Sequence, residues 1–265
     1  MDILGQFREW LASWGASEST ITHRLVVIEA GLREWGPLES VTTETLQRWL
    51  ARGDWSGWTR VTYYGHLRSF FGWLAESGRI EADPTAGLRR PRQPPSHPRP
   101  LTDREVEAVL AAATGHLRMW VLLGLLAGLR AHEIAKTRGE DVTASSIYVV
   151  GKGNKPAEIP THPDVWAYAV EHYPARGWWF PSPRFGGGSI GAPTVTQAVT
   201  RLFAGLEIEG SCHRLRHTFA TRLLRGGVSV RVVQTLMRHE SLATTAGYLA
   251  VDEDERVAAV RALAA

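Results

Sequence analysis

The sequence predicts a mainly α-helical protein with one small β-sheet, divided into two domains by a proline-rich linker. Three observations lead there. Apolar residues recur at three- and four-residue intervals through most of the chain, the spacing of helices that bury one face. Strand-type residues are confined to two short runs, Ser146–Val150 and Ala157–Pro160, on either side of the string Gly-Lys-Gly-Asn-Lys. Between the helical regions, Arg89–Pro100 holds five prolines in twelve residues, which denies it helix and ladder hydrogen bonds. A length of 265 residues fits two domains of ordinary size.

Composition sets the outer limits. With 44% apolar and 22% charged residues the chain reads as globular. A net charge of +3 and a pI near 9.2 permit a nucleic-acid partner without requiring one. The single cysteine, Cys212, excludes an internal disulfide and fits a reducing compartment. Beside His213 it could be reactive, but a small buried thiol is the simpler reading. The longest apolar run, Met119 to Leu129, is too short to span a bilayer, and no secretory leader is seen, so a cytoplasmic protein with no membrane partner is expected.

Residues 1–88 read as a helical domain. Phe7, Trp10, Leu11 and Trp14 make one amphipathic stretch, Thr20–Leu32 a second, Thr43–Leu50 a third and Trp58–Leu74 a fourth. Thr42 or Thr43 can cap the third, and Gly78 ends the fourth. Seven of the eleven tryptophans fall here, which suggests a small core filled with large side chains. Arginines and acids nearly balance, so any nucleic-acid contact would use one face. The linker, residues 89–100, carries four arginines and no acid. It could strap along a phosphate backbone or serve as a solvated tether.

The second domain, 101–265, opens with a capping box, Thr102 and Glu105, ahead of Val106, Val109 and Leu110. An apolar helix follows and ends on Arg130. An arginine there is costly unless it points into a cleft or pairs with Glu133. The Gly-Lys-Gly-Asn-Lys string suits a hairpin with a Gly-Asn tip, and without a Walker pattern it does not support a P-loop. Only three of the thirty Lys and Arg residues are lysine, and two of those three, Lys152 and Lys155, sit in this string. Helices are expected at 162–173 and 194–206, with a Gly/Pro-rich loop at 181–193. A tail helix from Asp252 carries Val257, Val260 and Leu263.

The densest chemistry lies between Ser211 and Leu249, which hold His213, His217, His239, Tyr248, six arginines and the acid Glu240. His213, Arg216 and His217 share one helix face. Such a surplus of cations beside a tyrosine hydroxyl calls for an anion, and phosphate is the natural one. A zinc site on His213 and His217 is disfavoured by the arginines between them and the missing general-base glutamate.

The strings His-Arg-Leu-Arg-His and Leu-Met-Arg-His-Glu-Ser-Leu-Ala-Thr-Thr-Ala-Gly-Tyr resemble the C-terminal signature of the tyrosine recombinases, the phage integrase and Xer family. In that pattern His-x-x-Arg is followed by a second histidine and, nine residues later, a tyrosine. One departure stands out: Arg238 occupies the place where the family usually has glycine. Ala-Gly-Leu-Arg-Ala-His-Glu-Ile resembles the family's first arginine box, and residues 67–88 resemble the last helix and exit of its core-binding domain. The resemblance implies an N-terminal helical core-binding domain that clamps DNA and a C-terminal mixed α+β catalytic domain. It implies catalytic Arg130, Lys152, His213, Arg216, His239 and Tyr248, with Lys155 as fallback for Lys152 and with Glu133 and His217 in support. Neither cofactor nor metal is implied. Expected partners are double-stranded DNA with inverted-repeat core sites and further copies of the chain, as dimer or tetramer on DNA, held through the tail. The implied activity is site-specific recombination by integrase or resolvase. A type IB topoisomerase-like enzyme and a catalytically silent DNA-binding protein are the alternatives.

Overall fold

Side-chain caps decide where the first four helices begin. Asp2 accepts from the Gly5 amide ahead of α1 (Ile3–Ser13), and Ser17 from Thr20 ahead of α2 (Glu18–Trp35). Thr42 does the same through Thr45 for α3 (Thr43–Leu50), and Ser56 through Thr59 for α4 (Gly57–Glu76). The third helix has the predicted bounds. The second runs longer than expected at both ends, because Ser17 starts it early and Gly36, at φ 83°, stops it late. A short 3₁₀ turn, Leu38–Ser40, was not expected.

The computed structural model describes residues 2–94, 99–151, 155–183 and 186–238. It divides into two compact units, Met1–Pro95 and Ser96–Ala265. In the first, Phe7, Leu11, Ile28, Leu46, Leu67, Phe70 and Leu74 are fully buried, each side chain worth roughly 1.5–3 kcal/mol on transfer from water. Phe7 meets Phe70 edge-on at 5.1 Å. The tryptophans do not all fill this core. Trp35, Trp49 and Trp73 are buried, whereas Trp14 and Trp58 are 53% and 42% exposed. Both exposed rings sit at helix ends, past the buried stripe, and Trp14 lies under the Arg24 guanidinium at 5.6 Å.

The second unit is arranged around α6 (Gly115–Leu126), whose residues from Met119 to Leu125 are all buried. A helix apolar on every face must sit in the middle of its domain. Around it pack α5 (Asp103–Ala112), α7 (Ala131–Ala135), α8 (Pro163–His172), α9 (Ala192–Gly205) and α10 (His213–Arg225). The Thr102–Glu105 capping box forms as expected. The α9 helix starts two residues earlier than expected, since Pro193 fits a first turn. The last helix described, α11 (Val230–Met237), lays Val233 and Met237 on Phe219 and Ala220 of α10.

Strands β1 (Ser146–Val150) and β2 (Pro156–Pro160) pair antiparallel, with Ile147 opposite Ile159. Ile147, Val149 and Ile159 are buried, whereas Tyr148 and Val150 face outward, the two-residue alternation of a half-covered ribbon. β2 begins one residue before the expected Ala157. Among the described residues no helix is long and apolar enough to cross a membrane.

Candidate active site

Arg130 does not close the apolar helix as the sequence suggested. α6 ends at Leu126, the Leu129 amide bonds back to the Leu123 carbonyl at 3.1 Å, and Gly128 turns the chain at φ 60°. Arg130 thereby becomes the N-cap of α7, a one-turn helix that aims Glu133 back at it. The Glu133 carboxylate accepts from the Arg130 amide at 2.7 Å and from its Nη1 at 3.1 Å. Of the two readings open for Arg130, the pairing with Glu133 is realised. Its side chain keeps 25% exposure, while that of Glu133 has none.

A buried carboxylate needs full compensation, because its desolvation costs several kcal/mol. Glu133 gets it from a second cation, Arg238, whose Nη2 donates to Oε2 at 2.7 Å. Sequence reasoning noted Arg238 only as a departure from glycine. Its backbone is indeed left-handed, at φ 51° and ψ 46°, where it ends α11. Arginine in a histidine-rich string gave no signal of which acid it would reach.

Arg216 comes to the same place from α10. Its Nη1 donates to the Gly128 carbonyl and its Nη2 to the Met237 carbonyl, and the residue is only 4% exposed. Two glycines allow this seat. A Cβ on Gly124 would lie 2.8 Å from the Leu215 Cβ, so α6 and α10 touch there backbone to side chain. A Cβ on Gly128 would lie 2.5 Å from Phe219. Gly128→Ala therefore meets both a clash and a left-handed backbone, and is expected to lower unfolding free energy by about 2–5 kcal/mol in urea denaturation. A change under about 0.5 kcal/mol, the usual size for a neutral surface substitution, would contradict this account.

His213 and His217 lie one turn apart on α10, with ring centroids 6.3 Å apart. Partial burial, then Arg216 and Arg130, hold His213 below the usual histidine range. Burial, then His213 and Arg216, push His217 down to about 4. Burial and Arg24 do the same to His66 in the first unit, also to about 4. An unfolded histidine titrates near 6.5, so the unfolded chain binds more protons between pH 6.5 and 4. Both histidines thus stabilise the neutral-pH protein, and that contribution is lost as pH falls. The melting temperature should drop from pH 7 to pH 5, and His66→Gln or His217→Gln should flatten the profile. An unchanged slope in both variants would refute it.

Arg214 has a different task from its neighbour Arg216. It donates to the carbonyls of Arg99 and Pro100 at 3.0 Å each and pairs with Glu105 at 3.2 Å, fixing the end of the linker to α10. The hairpin reaches the same region as Arg130. Gly151 closes its mouth by donating to the Lys155 carbonyl at 2.8 Å, and a Cβ on Gly151 would lie 3.7 Å from Glu133 Oε1. Cys212 is buried against Thr196, and burial raises its thiol pKa, which fits the structural reading. Lys152, His239, Tyr248 and the tail helix lie outside the described residues.

The structure thus gathers Arg130, Glu133, Arg216 and Arg238 in one hydrogen-bonded cluster, with His213 beside it. Two arginines from distant segments, Arg130 held by Glu133 and Arg216 held by the Gly128 carbonyl, make a cationic site suited to an anion such as phosphate. Comparison with known proteins narrows this. Residues 99–255 match the phage integrase family. A curated tyrosine recombinase from Pseudothermotoga lettingae is 33% identical over 206 residues, covering 74% of this chain and 72% of that protein. The chain belongs to the phage integrase family. Among solved structures, the integrase from mycobacterium phage Brujita is 35% identical, with a TM-score of 0.53 over 97% of this chain and 90% of that one. A lambda integrase dimer bound to a COC' core site shares the fold at a TM-score of 0.74 and 21% identity, over 93% of each chain.

Proposed function

We propose that this protein is a site-specific recombinase that cuts and rejoins DNA through a 3′-phosphotyrosine link, as a phage-type integrase or a Xer-type resolvase. The observation that carries this is the joining of Arg130 and Arg216, 86 positions apart in the chain, through the Gly128 turn and α10. Tyr248 is the nucleophile. A phenol titrates near pH 10, so its oxygen attacks only where the charge it creates is stabilised. Arg130 and Arg216 take the two non-bridging phosphate oxygens with forked donors, and His239 adds another hydrogen bond. His213, whose surroundings disfavour its charged form, is neutral near pH 7 and able to accept the tyrosine proton. Lys152, or Lys155 in its place, protonates the departing 5′ oxygen, a task guanidinium cannot perform.

The tyrosine–phosphorus bond forms as the phosphorus–5′-oxygen bond breaks, so the link keeps the energy of the phosphodiester. A 5′ hydroxyl from a second strand then reseals the DNA without ATP. Catalysis of this type rests on position and electrostatics, which arginines supply without a metal. Residues 1–88 are proposed to clamp DNA, 89–100 to strap along it, and 101–265 to carry the chemistry. The lambda integrase dimer sits on a core site, and we place this chain likewise on inverted-repeat sites, assembling as a dimer or tetramer through its tail, in the cytoplasm on the nucleoid.

The test is to incubate the protein with fragmented genomic DNA, isolate covalent adducts and sequence their ends. One recurring site with protein on the 3′ phosphate is expected. A plasmid carrying two copies of that site should recombine. Relaxation without exchange would favour the topoisomerase-like alternative, and binding without adduct the silent one.

A further inference from the structure

We propose that Arg238 is a positioning residue that offsets the charge of Glu133, leaving Arg130 free to act as a full cation on the scissile phosphate. The proposal rests on the recombinase reading above. Glu133 is wholly buried and lies 3.1 Å from the Arg130 guanidinium. Alone, that pair would be nearly neutral as seen from a bound phosphate, because the carboxylate field opposes the guanidinium field at short range in a low-dielectric site. Arg238 adds a second cation at 2.7 Å from the other carboxylate oxygen. With Arg216 included, the cluster then carries two net positive charges rather than one. The transition state needs that surplus, since the tyrosine oxygen adds negative charge to a phosphate already anionic.

Three further observations support a purpose for this side chain. Its backbone is left-handed at φ 51°, a conformation that glycine adopts freely and arginine only at a cost. A residue that strains the backbone here is doing something glycine could not. Arg238 also shares the Gly128 carbonyl with Arg216, at 3.4 Å, so it ties the Arg130 turn, the end of α11 and α10 together. Its Nε and Nη1 are buried and have no acceptor among the described residues, so burial of this cation is not explained by local hydrogen bonding alone.

The test uses the full chain and a duplex carrying the site mapped by adduct sequencing, with either a phosphate or an uncharged methylphosphonate at the scissile position. Arg238→Gly is expected to slow single-turnover adduct formation on phosphate by about 10²-fold, the scale of one lost oxyanion-stabilising group. On methylphosphonate, where one negative charge is gone, the gap should shrink to a few-fold. Arg238→Lys, which keeps the charge, should recover much of the rate. Adding Glu133→Gln to Arg238→Gly should restore part of it, since no bare carboxylate remains. Equal losses on both DNAs would reduce Arg238 to a structural role and overturn the proposal, as would wild-type rates in Arg238→Gly. If the wild-type protein forms no adduct with either DNA, the recombinase reading itself fails, and this proposal with it.

Discussion

Tyr248→Phe is expected to remove covalent attachment to DNA altogether while leaving DNA affinity near that of the wild type. The phenyl ring lacks the oxygen proposed to bond to phosphorus. Water could replace it only as a nucleophile that leaves no adduct. Affinity for DNA comes from cations on phosphates, and these are untouched by the change. The arginines proposed to meet the phosphate are also fixed without the tyrosine, because Arg130 is held by Glu133, and Arg216 by the Gly128 and Met237 carbonyls. A denaturing gel with end-labelled duplex reads the adduct, and filter binding reads affinity. A surviving adduct would mean that another hydroxyl is the nucleophile. A collapse of binding together with the adduct would mean that the ring is structural.

Much of the fold could be read from local sequence, and the reasons are local too. Thr42, Thr102 and Gly78 set helix limits by hydrogen bonds and backbone freedom within four residues, so the signals lie beside the features they fix. The two strands were visible for the same reason. The fate of the apolar helix was less legible. Met119–Leu129 reads as one continuous run, but the helix ends at Leu126 and Gly128 turns at φ 60°, where Phe219, some ninety positions on, leaves no room for a side chain. Trp14 and Trp58 were misplaced in the core because size and apolarity do not reveal which end of a helix lies past the buried stripe.

The candidate site divides along the same line. The family resemblance singled out Arg130, Glu133, His213 and Arg216 as candidates, and the structure brings these four together. Spacing singled out Arg216 but gave no task to Arg214, two positions away on the same helix, which the structure ties to the Arg99 and Pro100 carbonyls and to Glu105. It also passed over Arg238, whose partner lies 105 positions away. Long-range pairing of one guanidinium with one carboxylate leaves no trace in local periodicity.

Arg216→Lys should separate those two arginines sharply. Arg216 places one guanidinium nitrogen on the Gly128 carbonyl and another on the Met237 carbonyl, joining the Arg130 turn to the end of α11. A lysine ammonium is a point charge, so it cannot hold both carbonyls and also present a flat pair of donors to phosphate. Arg238 still reaches the Gly128 carbonyl at 3.4 Å, so the Met237 carbonyl is the one expected to lose its partner, at about 1–3 kcal/mol of stability. The lost transition-state contact should slow adduct formation by about 10²–10³-fold. Arg214→Lys provides the contrast. It weakens the hold on the Arg99 and Pro100 carbonyls and on Glu105, with comparable loss of stability but little change in the single-turnover rate once the protein is folded. Rates measured on the mapped duplex, well below both melting temperatures, separate chemistry from folding. Should Arg214→Lys slow cleavage more than Arg216→Lys, the phosphate-facing role belongs to the wrong arginine, and the assignment along α10 must be reversed.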